Sequence, residues 1–180
     1  MWKTLKQIVR HGIRSEPAPE VGAAVDAEAS RIQREILDIL GQALAIREVD
    51  AGSCNGCELE INALGNPYYN LEGLGIKFVA SPRHADMLLV TGPVSRNMAP
   101  ALRLTYEATP DPRLVVAIGD CGCDGGIFGE NYACCGHVAN VIPVDVSVAG
   151  CPPEPIEILR GILTAVRYSA GRVSSLPKVV

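Results

Sequence analysis

A chain of 180 residues, 48% of them apolar, is long enough for one globular core with extensions at its ends. Its formal net charge of −4 gives no overall pull toward nucleic acid, and no window approaches the roughly 18 apolar residues of a membrane span, so neither a nucleic-acid partner nor a bilayer crossing by this chain is expected. Seven cysteines, an odd number, follow an N-terminus without a secretory pattern, which points to a reduced, cytosolic setting with thiols available as ligands.

In chain order, residues 1–14 place Trp2, Leu5, Ile8, Val9 and Ile13 at helical spacing, with Lys3, Lys6, Arg10 and Arg14 between them. This basic amphipathic segment suits a membrane surface or a partner subunit, and the polar Pro/Ala/Glu linker of residues 15–27 separates it from the core. Residues 28–42 predict a second amphipathic helix from Ile32, Ile36, Ile39 and Leu40, with Gly41 as its stop. Residues 44–49 read as a strand running toward Ser53-Cys54-Asn55-Gly56-Cys57-Glu58, and a short helix and a Gly65-Asn66-Pro67 turn follow. Strands are expected over residues 75–80, 87–91 and 114–118; the run at 87–91 is continuously apolar, as suits a sheet covered on both faces. A helix over residues 98–108 ends at Pro110-Asp111-Pro112. A last strand is expected within residues 141–148, where Pro143 implies an edge position or a bulge. Residues 154–167 carry Leu159, Ile162, Leu163 and Val166 on one helical face, which closes a core domain of residues 28–168, and residues 169–180 read as a C-terminal tail.

Strands alternating with helices imply an α/β fold: an open, mainly parallel sheet with helices on both faces, whose sites form beyond the carboxyl ends of the strands. Cys54, Cys121 and Cys151 each sit three to five residues after a predicted strand. With Cys57 they make four thiolates from three loops, the number a 4Fe-4S cluster needs. Gly52, Gly56, Gly119, Gly122 and Gly150 beside them would let backbone amides approach its sulfides. Zinc accepts the same donor set, although a single CxxC and a core able to fold unaided do not resemble a zinc ribbon. A thioredoxin-like dithiol would use Cys54 and Cys57 and leave Cys121 and Cys151 without a role. Cys123, Cys134 and Cys135 read as compact apolar side chains, with Cys123 an alternative to Cys121 as third ligand.

Taken together, the Cys54–Glu58 run, Ser81-Pro82-Arg83-His84-Ala85-Asp86, Gly119-Asp120-Cys121-Gly122-Cys123-Asp124-Gly125-Gly126, and Pro143-Val144-Asp145 leading into Gly150-Cys151-Pro152-Pro153 resemble a known family. It is the small electron-transfer subunit of nickel–iron hydrogenases, in the branch shared with the B subunit of respiratory complex I. The resemblance covers residues 45–168 and implies a flavodoxin-like fold with one proximal 4Fe-4S cluster. By position it implies Cys54, Cys57, Cys121 and Cys151 as iron ligands, Arg83 and His84 beside the cluster, and Glu58 as a proton relay. Complex I subunits of this type carry adjacent cysteines, whereas two residues separate Cys54 from Cys57, as in hydrogenases. With no twin-arginine signal and no ferredoxin-like run after Cys151, the chain is similar to the membrane-associated, energy-converting or formate-hydrogenlyase-like group. The resemblance thus implies an oxidoreductase subunit, peripheral on the cytoplasmic, inner face of the cell membrane within a complex that includes membrane-arm subunits. It would relay electrons between a ferredoxin-like iron–sulfur subunit and a NiFe large subunit that performs the hydrogen chemistry. The alternative is a complex I-like quinone oxidoreductase, in which this chain would pass electrons to quinone.

Overall fold

The computed structural model describes residues 43–175, with side chains as far as Ser169, together with Trp2, Lys6, Val9, Arg10, Arg31, Arg34, Glu35 and Asp38. The linker at 15–27, the remainder of the two expected N-terminal helices and residues 176–180 lie outside the described residues. Those that are described within 1–14 and 28–42 are all helical. Glu35 meets Arg167 in a two-pronged ion pair, with both N···O distances 2.8 Å.

Five strands form one sheet: β1 (Leu44–Asp50), β2 (Ile76–Phe78), β3 (Met87–Thr91), β4 (Leu114–Ile118) and β5 (Val146–Val148). Their order is β2-β1-β3-β4-β5 and all four pairings are parallel. The chain winds outward from β1 to β2, returns past β1 to β3, and continues to β5. That reversal makes the sheet doubly wound in the flavodoxin manner, with its switch point between β1 and β3.

Residue alternation explains why β3 and β4 are apolar throughout. Met87, Leu89, Leu114, Val116 and Ile118 face one core, shared with Ile61 of α1 (Gly56–Ala63) and with Ile158, Leu159, Ile162 and Val166 of the last helix. Leu88, Val90, Val115 and Ala117 face the other core, with Ala99 and Leu102 of α2 (Ala99–Ala108). A strand covered on both sides has no solvent face on which a polar residue is favourable. Each fully buried aliphatic side chain contributes on the order of 1.5–3 kcal/mol. A short helix, α3 (Gly119–Cys123), follows β4 without a connecting loop, and α4 (Pro155–Ser175) packs on β4 and β5. Among the described residues no helix is long and apolar enough to cross a membrane.

Two aspartates fasten the opposite, amino-terminal edge of the sheet. Asp86 donates its N–H to Ala45 O at 2.8 Å and accepts the Ala45 N–H on Oδ2 at 2.9 Å. Asp145 repeats the arrangement with Val115, at 2.9 Å in both directions. The acids that close the Ser81–Asp86 and Pro143–Asp145 motifs thus pair neighbouring strands at the start of β3 and just before β5.

Three elements differ in extent from the sequence-based expectation, the first being β2, which spans only Ile76–Phe78 of the expected 75–80. The last strand is only three residues long and Pro143 precedes it, because a proline cannot donate the ladder hydrogen bond; β5 is nevertheless an edge strand. The last helix continues to Ser175, past the point where the C-terminal tail is expected to start.

Gly161 of α4 marks the closest approach of that helix to the sheet, since a Cβ there would run into Val148 Cγ2. Alanine would add about 1 kcal/mol of helix propensity, but overpacking a rigid β-branched neighbour costs about 1–3 kcal/mol. Gly161→Ala should therefore lower stability in urea unfolding, and a stabilised variant would contradict the tight α4–β5 contact.

Candidate metal centre

Because the strands are all parallel, their carboxyl ends lie along one edge, and the cysteine-bearing loops leave from it. Cys54 follows β1 by four residues, Cys57 lies in the first turn of α1, Cys121 lies in α3, and Cys151 follows β5 by three residues. Cys54, Cys121 and Cys151 line a single cavity of about 540 Å³ together with Asp120, Asp124, Gly126, Ile127 and Phe128. Cys57 is not part of that lining; its sulfur lies against Gly119, next to Asp120, where a Cβ would stand 2.6 Å from Cys57 Sγ.

Local hydrogen bonds shape each loop. Asp50 Oδ1 accepts the N–H groups of Gly52 and Ser53, both at 2.8 Å, and turns the chain as it leaves β1. Ser53 Oγ then accepts the Asn55 N–H at 3.2 Å, and Asn55, with φ 70°, leads into α1. Behind this turn runs the loop after β3. Gly92 has φ +75° and a Cβ there would lie 2.6 Å from Ser53 N, so only glycine allows the two backbones to meet. Asp120 joins the other two loops, donating its N–H to Gly150 O at 2.9 Å and accepting the Gly150 N–H on Oδ1 at 2.7 Å. The segment that carries Ile127 and Phe128 over the cavity is anchored where Val94 donates to Gly136 O at 2.8 Å and Cys135 donates to Val94 O at 2.7 Å.

Three glycines lie against sulfurs: Gly56 by Cys54, Gly119 by Cys57 and Gly126 by Cys121. A Cβ on Gly52, Gly122 or Gly150, the other glycines expected beside the ligands, would meet Pro93 O, Val90 O and the Pro153 backbone. Gly126 is the one missed, although it belongs to the Gly119–Gly126 motif.

The site disfavours thiolate charge in the metal-free protein. Burial, then Glu58, then the thiolates of Cys54, Cys121 and Cys151 push the Cys57 thiol up to about 12. Burial and then Cys151 and Cys54 also raise Cys121. The four sulfurs therefore sense one another, and as thiolates they would repel unless a positive centre lay among them. Among the described residues no three His, Cys, Asp or Glu side chains converge closely enough to hold one metal ion. The donor set is all thiol and spread around a cavity, which suits a polynuclear iron–sulfur group better than a single zinc with its short Zn–S bonds.

The remaining candidates fall in different places. Glu58 is 7% exposed, and among the described residues neither carboxylate oxygen has a hydrogen-bond partner. Glu48, which sequence reasoning overlooked, stands near it: burial and then Glu58 raise its pKa. Its signal lay in strand alternation, since Leu44, Ile46 and Glu48 share one face of β1. Arg83 and His84 are exposed on the turn Pro82–His84, ahead of Asp86, and neither lines the cavity. β2 and β3 both meet β1 at Ile46, and the 79–86 connection that carries them joins the two strands at that level. Cys123 turns its thiol under the sheet toward Ala117 O, at 3.7 Å, and is off the cavity lining. Cys134 and Cys135 are half-buried away from the lining, and Cys135 packs on the α2-side core.

The family described as NADH ubiquinone oxidoreductase, 20 kDa subunit, matches residues 54–165. A probable membrane-bound hydrogenase subunit, mbhJ, of Pyrococcus furiosus is 44% identical over 148 residues, which span 81% of this chain and 89% of the relative. Formate hydrogenlyase subunit 7 of Escherichia coli is 41% identical over 156 residues, 86% of this chain and 61% of the relative. Among solved structures, a chain of an archaeal respiratory membrane complex, the membrane-bound sulfane sulfur reductase, superposes with a TM-score of 0.60 at 32% identity; the match covers 77% of this chain and 76% of that one.

Two measurements probe the site in the metal-free protein. With its pKa at about 12 rather than 9, the Cys57 thiolate fraction near pH 8 falls about a thousandfold, so Cys57 should resist iodoacetamide while exposed Cys54 and Cys151 react. Peptide mass mapping that finds Cys57 labelled as fast as Cys54 would contradict this. Burial raises the Asp50 pKa, but hydrogen bonds from the Ser53 and Gly52 N–H groups outweigh it and hold the carboxyl below its ordinary value. Asp50 thus stabilises its loop fully above the ordinary carboxylate range, and that support is lost as pH falls through the lowered value. Gly52 and Ser53 amides should stay protected at neutral pH and lose protection only below about pH 4; Asp50→Ala should remove the pH dependence.

Proposed function

The chain belongs to the family of the NADH ubiquinone oxidoreductase 20 kDa subunit, and on that premise we propose that it carries one proximal 4Fe-4S cluster on Cys54, Cys57, Cys121 and Cys151. As an electron-transfer subunit of the membrane-bound hydrogenase and complex I-like family, it relays electrons to a large partner subunit and leaves the chemistry to that partner. The observation that carries the reading is the convergence of Cys54, Cys121 and Cys151 on one cavity, with Cys57 near enough for their thiolates to oppose its ionisation, so that four thiolates would need a positive centre among them.

Bound there, the cluster would supply one-electron transfer. The protein's own part is positional. Gly56, Gly119 and Gly126 leave room around three of the sulfurs, and the Asp120–Gly150 hydrogen bonds hold the Cys121 and Cys151 loops at a fixed separation. Ile127, 94% exposed, and Phe128, 48% exposed, form an apolar rim at the cavity mouth. A large subunit seated on that rim would exclude water from the path of the electron. Glu58, buried beside Cys57 with oxygens that have no partner among the described residues, is suited to carry a proton toward such a partner.

The two-residue spacing of Cys54 and Cys57 and the hydrogenase and formate hydrogenlyase relatives favour a NiFe large subunit supplied by a ferredoxin-like subunit, on the inner face of the membrane. The quinone-linked reading applies if the large subunit lacks two CxxC pairs. Protein purified without oxygen should contain iron, show broad visible absorption that bleaches on reduction, and copurify with a large subunit containing nickel. About one zinc and no iron would reject the cluster. Cys54→Ala, Cys121→Ala and Cys151→Ala should each lose the absorption, while Cys123→Ala keeps it. A full cluster in Cys121→Ala would overturn the ligand set.

A further inference from the structure

Residues 1–14 precede the cysteine motifs and have a sharp charge asymmetry in sequence. They contain four basic side chains, Lys3, Lys6, Arg10 and Arg14, and no acidic one, in a protein whose formal net charge is −4. The described residues here, Trp2, Lys6, Val9 and Arg10, are helical and exposed, Trp2 to 74% and Val9 to 86%. Seven residues are close to two helical turns, so Trp2 and Val9 stand on one side, about 20° apart around the axis. Lys6 and Arg10, one turn apart, stand together on the adjoining flank. The sequence repeats this separation: Leu5 and Ile13 fall at the helical spacing of Trp2 and Val9, and Lys3 and Arg14 at that of Lys6 and Arg10.

We propose that this face beds into an anionic lipid surface, with Trp2 and Val9 among the upper acyl carbons and Lys6 and Arg10 at the phosphate level. An apolar stripe flanked by cations and capped by tryptophan is stabilised there twice, by area removed from water and by attraction to headgroup charge. Long basic side chains reach the phosphates while their methylenes stay in the apolar layer. A groove on a protein partner would have to supply one acid for each of these cations while also burying the tryptophan. The lipid surface supplies both continuously, and the acid-free composition matches its charge. Contact of this kind gives the chain its own hold on a bilayer, independent of any membrane-spanning partner and of the cluster.

Trp2 is the only tryptophan, so its emission reports on this segment alone. The full chain should float with phosphatidylcholine vesicles that contain phosphatidylglycerol but not with phosphatidylcholine alone, and Trp2 emission should shift to the blue on binding. High salt should release it. Reversing two charges in the K6E/R10E variant should weaken partitioning at least about tenfold, with far-ultraviolet circular dichroism unchanged. Equal binding to both vesicle types, full binding by K6E/R10E, or a Trp2 shift that appears on adding the large subunit and not with vesicles would overturn the proposal, the last in favour of protein docking. None of these readouts depends on iron.

Discussion

All four strand pairings in this protein are parallel, and nearly everything else about it depends on that constraint. Parallel strands deliver every following loop to the same edge, so residues 54, 121 and 151, far apart in the chain, arrive within one cavity. The same pairing forces a crossover between successive strands, and the helices that make these crossovers cover both faces. Core and site are thus products of one topology: the crossovers that bury Leu88 and Leu89 on opposite faces also bring the cysteine loops together.

The edge so formed is electrostatically costly when left to itself. Cys57 is pushed to about 12 by burial and by its neighbours, Glu58 is buried without a partner among the described residues, and Glu48 is raised beside it. A protein selected only for stability would not gather thiols and carboxyls in this way. The backbone, by contrast, is carefully satisfied: Asp50, Asp120 and Asp124 each accept loop N–H groups at 2.7–2.8 Å. Rigid loops around thiols that resist ionisation on their own are what a positively charged prosthetic centre would require of its host. The amino-terminal edge shows no such tension, since Asp86 and Asp145 are both spent on joining strands.

Membership of the 20 kDa subunit family embraces both hydrogen-linked and quinone-linked oxidoreductases, and the fold does not distinguish between them. Two residues between Cys54 and Cys57 let the first cysteine leave β1 on a turn that reaches the cavity and the second enter α1. The apolar rim at Ile127 and Phe128 lies within the matched stretch of residues 54–165, whereas the basic sequence of residues 1–14 precedes it.

Strand positions were legible in the sequence because burial on two faces leaves an unbroken apolar run: residues 87–91 and 114–118 are strands with the expected bounds. The α4 stripe was equally plain, since Leu159, Ile162, Leu163 and Val166 are all buried. These are one-dimensional signals, set by the period of a single element against the core. The convergence of Cys54, Cys57, Cys121 and Cys151 could be inferred from their common place after strand ends. Tertiary structure alone decided the direction of each thiol. Cys121 and Cys123 are two residues apart on one short helix, and only the rotation of that helix against β5 turns the first to the cavity and the second to Ala117 O. It also decided that Arg83 and His84 stay off the cavity lining, that Gly126 lies against Cys121, and that β5 is cut short. Such outcomes depend on where separate segments meet in space, and no local pattern of residues encodes that meeting.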